Sequence, residues 1–90
     1  MEKVKDTGLA VLLAYECGIE VIDRIECFDK DKPVFWIRGV KHFDFQAITD
    51  SYTDTNTVLV KSYSSVFEQV LKLKEQANVA GAWQRKRSEA

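Results

Sequence analysis

His42, the chain's only histidine, stands two positions before Asp44. On an extended strand side chains two apart share a face, so this pair could act as a base with its orienting carboxylate, or as two metal ligands. A catalytic metal takes about three protein ligands and keeps a position open, and the spacing offers no third. A solvated strand face is the simpler reading, and a small enzyme built around His42 and Asp44 is a second alternative. Cys17 and Cys27 would become nucleophiles only beside a base or a positive charge that lowers the thiol pKa, and no motif sets one there. They form no C-x-x-C pair, so they read as reduced, packed thiols. Glu20, Asp23 and Glu26 are too irregularly spaced for paired-carboxylate catalysis or a calcium loop, and Asp23 is the least explained of them. With four glycines and no phosphate-loop, dinucleotide or nucleophile-elbow motif, an enzyme is disfavoured though not excluded, and no catalytic residue, metal ligand or cofactor is expected.

Aromatic and basic residues offer a different chemistry. Trp36 with Arg24, Arg38, Lys41 and Lys61 on an open sheet could stack bases and neutralise phosphates. Arg85, Lys86 and Arg87 beside Trp83 would add a second contact. Against this, Glu20 and Glu26 share the face of Arg24, and no G-F/Y-G/A-F motif of the RNA-recognition type is present. Thirteen basic and fourteen acidic residues leave a formal charge of −1, so no whole-molecule field draws nucleic acid or anionic lipid. Nucleic-acid binding therefore stands as the alternative, behind protein interaction.

These residues need a scaffold, and 90 residues suffice for one modest core. Asp6 or Thr7 can open a helix that Gly18 closes, placing the first helix over residues 7–17, apolar on nearly every side and in need of cover by the sheet, another helix or a second chain. Ile19 to Phe28 reads as a strand with Ile19, Val21, Ile25 and Cys27 on its core face, a short helix being the rival. Asp29 to Pro33 is a turn, and Val34 to Val40 a second strand. His42 to Ala47 alternates as a third extended segment, Asp50 to Asn56 is a loop, and Thr57 to Tyr63 is a last strand. Ser65 and Glu68 make a capping box for a helix carrying Val66, Val70, Leu73, Ala77 and Ala80 to Gly81. Residues 82–90 read as a flexible charged tail.

The expected fold is a single α+β domain. An antiparallel sheet of three to four strands carries its N-terminal and C-terminal helices on one face, in the order α-β-β-(β)-β-α. The shorter form of this order is similar to that of double-stranded RNA-binding domains, but the lysine-rich start of their second helix is replaced by Ser64, Ser65, Val66, Phe67 and Glu68, so the likeness is topological. The opposite sheet face would present Ile22, Phe28, Val34, Trp36, Leu59 and Tyr63, more apolar than a solvated face. This predicts a non-enzymatic interaction or regulatory module, homodimeric or docking another protein through that face. The run Leu9–Tyr15 behind Lys3 and Lys5 superficially resembles the start of a secretion signal, but Glu2, Asp6 and Glu16 interrupt the pattern, and it is far short of the ~20 apolar residues of a membrane span. The expected location is cytoplasmic, with no membrane partner.

Overall fold

A computed structural model of the chain describes residues 1–29, 32–52 and 64–86. Strand β1 (Glu2–Val4) leads into helix α1 (Thr7–Cys17), a 3-10 turn (Ile19–Val21) and strand β2 (Ile22–Glu26). Strand β3 (Val34–Ile37), helices α2 (His42–Ser51) and α3 (Ser64–Ala80) and strand β4 (Ala82–Gln84) follow. The strands form one antiparallel sheet in the order β1-β3-β2-β4, so the class is α+β with the helices over one face. Val4, Ile25, Phe35 and Ile37 point inward to meet α1 and Val70 and Ala77 of α3 in a buried core. No helix among the described residues is long and apolar enough to cross a membrane.

Local chemistry sets the helix ends. The Asp6 carboxylate accepts from the Gly8 and Leu9 amides at 2.8 and 3.3 Å, meeting two of the donors that a helix start leaves free. Gly18 ends α1 at φ 101°, a backbone conformation that residues with a side chain rarely adopt, so a substitution there is strained even though the nearby Glu20 carboxylate could move aside. The cover that α1 requires is intramolecular: it lies against β1, the 3-10 turn, α2 and α3, which removes the need for a second chain over it.

Residues 19–28 combine the two expected forms, a 3-10 turn through Val21 and then a strand. Pairing shifts between Ile22, opposite Ile37, and Arg24, opposite Trp36, leaving Asp23 as an extra residue. This bulge breaks the alternation, and it corrects the face assigned to Ile22. Ile22 points into the core, fully buried, while Asp23 is buried within the bulge and its carbonyl accepts from the Arg85 amide at 2.9 Å. Phe28 lies beyond the end of β2 and is 85% exposed, so it is not part of the sheet face either.

Two further corrections concern the middle and the end of the chain. His42 to Ala47 is helical, part of α2, because Phe45, Ile48 and Tyr52 continue the pattern at helical spacing and pack against the core. Residues 82–84 are not a loose tail: Gly81 turns the chain at φ 84° and β4 pairs along β2, with Ile25 opposite Trp83. The helix expected from the capping box is α3, but it starts at Ser64, two residues early, so Ser65 lies inside the helix and not at its N-cap. Among the described residues the order therefore becomes β-α-β-β-α-α-β, which ends the topological likeness to double-stranded RNA-binding domains. The expected strand Thr57 to Tyr63, with Leu59, Lys61 and Tyr63, lies outside the described residues, as does Arg87.

Candidate functional site

On the face of the sheet away from the helices, registers align side chains in rows. Lys3 of β1, Trp36 of β3, Arg24 of β2 and Gln84 of β4 form one row; Val34, Glu26 and Ala82 form the next, and Lys5, just past the end of β1, lines a cavity with Val34. Glu26 Oε1 accepts from Trp36 Nε1 at 2.6 Å and pairs with Arg24 Nη2 at 2.8 Å. The Arg24 guanidinium stands 4.9 Å from the indole centroid and Lys3 Nζ 5.8 Å from it, so cations from the two neighbouring strands flank the half-buried ring. Arg24 Nε is shut off from solvent with no hydrogen-bond partner among the described residues.

At the turn end of this face, Lys5, Lys32, Pro33 and Val34 line a cavity of about 230 Å³. Lys3, Lys5 and Lys32 are exposed and have no ion pair among the described residues, whereas Glu26 is already shared between Arg24 and Trp36. The helical layer carries the opposite balance: Glu16, Asp44, Asp50, Glu68 and Glu75 against Lys72 and Lys74. A wider depression of about 440 Å³ beside Lys72, Glu75, Gln76 and Val79 lies open to solvent and mixes both charges, with no group fixed to read a ligand.

Of the apolar residues expected on the outer face, Val34 and Trp36 are there, while Ile22 and Phe28 are not. Of the basic set, only Arg24 meets Trp36 among the described residues. Arg38 and Lys41 follow β3 as exposed residues of the connection to α2. Arg85 is occupied on the other side of the sheet, where Nε donates to the Ile22 carbonyl at 3.1 Å and Nη2 to that of Ile19 at 3.0 Å, its guanidinium 5.2 Å from the Trp83 ring. Trp83 itself packs against the core from β4, and Lys86 is exposed just beyond. Lys3 and Lys5 escaped the sequence reading because β1 is three residues long, and its signal was a single apolar residue, Val4, between two lysines.

The pair His42 and Asp44 does not form a site. Residues two apart on a helix point about 200° apart, and His42 Nδ1 instead meets Glu2 Oε1 at 3.1 Å on the surface. Among the described residues no three His, Cys, Asp or Glu side chains come together as metal ligands do. Both cysteines are free thiols. Cys27 is buried, its Sγ hydrogen-bonded to Asn78 Oδ1 of α3. Burial, and then the charges of Asp44 and Glu16, push the Cys17 thiol pKa up, which opposes a nucleophilic role. The chain matches no protein-family model, and neither the curated proteins nor the solved structures compared with it contain a match.

Proposed function

We propose that this protein is an interaction module that docks a partner protein on the outer face of its sheet, around Trp36. The observation that carries this reading is the fixing of a half-exposed indole by Glu26 and Arg24. Trp and Arg are the side chains most often found at the energetic centre of interfaces, and an anchor already held in one rotamer loses little freedom on binding. Two free thiols support a reducing, cytoplasmic setting. The partner can be a second copy, in which case sedimentation equilibrium over a wide concentration range detects the dimer. The discriminating experiment selects binders from a random peptide library displayed on phage. Binders that are lost on Trp36→Ala and kept on Val79→Ser, a change on α3 at an 85% exposed position, support the reading. A selection whose binders ignore Trp36 overturns it.

A second reading, binding of single-stranded nucleic acid, is favoured by the exposed cations Lys3, Lys5, Arg38 and Lys41 on and beside the strands that carry Trp36. It predicts salt-sensitive binding of labelled oligothymidylate that weakens on Arg38→Ala. Absence of binding at low salt removes it.

A further inference from the structure

We infer that the partner segment is acidic and extended, with carboxylates on alternate residues that pair with Lys3 and Lys5, and a further acidic side chain that reaches the cavity beside Lys32. The inference rests on the docking reading above and names the chemistry of the occupant. Its first support is charge: the lysines on and beside β1 have no ion pair among the described residues, while the helical layer behind the sheet is acidic. A partner rich in carboxylates is steered to this face and turned away from the opposite one. Its second support is spacing. Lys3 and Lys5 are two residues apart along one line, about 6.6–7 Å in extended chain, which is also the repeat of same-side side chains on an extended partner. Its third support is the cavity of about 230 Å³, lined among the described residues by two lysines, Lys5 and Lys32, and by Pro33 and Val34. A Glu side chain, with its carboxylate beyond two methylenes, matches that lining.

Two other occupants fit less well. A nucleic-acid strand needs an accessible aromatic face for stacking, but Lys3 and Arg24 already lie over the Trp36 ring, and the Glu26 carboxylate beside it opposes phosphate. A second copy placed by a two-fold axis through this face would set its basic surface against the same basic surface.

The test is fluorescence anisotropy with a labelled ten-residue peptide alternating Glu and Val, compared with Gln and Lys versions and with oligothymidylate, at low and physiological salt. The Glu peptide is expected to bind most tightly and to weaken with salt. Lys3→Gln and Lys5→Gln should each weaken it by up to about fivefold. Both positions are exposed, so the variants fold, which circular dichroism verifies. In the converse arm, a Lys3→Glu, Lys5→Glu variant should prefer the Lys peptide. Equal binding of Glu and Gln peptides, indifference to the lysine changes, or tighter oligothymidylate binding each overturns the inference. If the Trp36-dependent peptides from the library prove neutral or basic, the acidic partner is wrong while the docking face stands; if no selected peptide depends on Trp36, the docking face itself is wrong.

Discussion

Trp36 and Glu26, on adjacent strands, are joined by a hydrogen bond of 2.6 Å from Nε1 to Oε1, and that same oxygen holds Arg24. One carboxylate thus sets the positions of an aromatic and a cationic group that would otherwise sample several rotamers. Glu26→Gln keeps the length but weakens both contacts, since each loses its charged acceptor. In a Trp83→Phe background, the emission of Trp36 should shift to the red, with stability reduced by about 1 kcal/mol in urea denaturation. An unshifted spectrum would show that Glu26 does not hold the ring.

Arg85 looks from sequence like part of a charged tail, but its guanidinium satisfies the carbonyls of Ile19 and Ile22. Arg85→Ala should cost about 1–3 kcal/mol, because it strands partly buried acceptors. Lys86→Ala, one residue on and exposed, should stay within about 0.5 kcal/mol of wild type. Equal denaturation midpoints for the two variants would refute the clamp.

Cys17 should be a slow thiol. With its pKa raised by burial and by Asp44 and Glu16, alkylation at neutral pH should lag behind that of an unfolded control, and Asp44→Asn should speed it modestly. The sign for stability follows. The folded state holds this proton more tightly than the unfolded one, so the contribution is complete below the ordinary thiol range near ~8.5 and is lost as pH rises through the raised value. A stability that climbs with pH across that interval, in a Cys17→Ser difference experiment, would contradict this.

Helix α2 has no buried residue, whereas α1 beneath it buries six. Its ends are attached by side chains at the surface, Tyr52 Oη to Asp6 Oδ1 at 2.9 Å and His42 to Glu2 at 3.1 Å. Native-state hydrogen exchange should therefore find α2 opening at a free energy well below the global value, which is about 5–15 kcal/mol for domains in general. Tyr52→Phe should lower it further while leaving α3 protected. Uniform protection across α1, α2 and α3 would show that the helices open only together.

The elements that could be read in advance were those whose signals are redundant. In α3, Val70 and Ala77 mark a helical stripe, and in β3 Phe35 and Ile37 alternate with Val34 and Trp36. Asp6 and Gly18 fixed α1 through caps that depend on local chemistry alone. Where two periods fit the same residues, the longer one prevailed: His42 to Ala47 alternates, but Phe45, Ile48 and Tyr52 reveal a helix only when the window extends past Ala47. The bulge at Asp23 could not be anticipated, since it arises from the register between β2 and β3 rather than from β2 itself. It moved Ile22 from the outer face to the core and left that face more cationic than its sequence pattern implied. The short strands β1 and β4 each span three residues, too few for a periodic signal, and they become strands because neighbours supply the hydrogen bonds.

The pairing of β2 with β4 places Arg24 opposite Gln84. On a ribosome adding ~5–20 residues per second, the interval between those two residues lasts about 3–12 s. Throughout that time β2 lacks β4, whereas β3, its other neighbour, is made early in the interval. The nascent chain thus spends seconds with an open backbone edge at what will become the middle of the sheet, until β4 closes it.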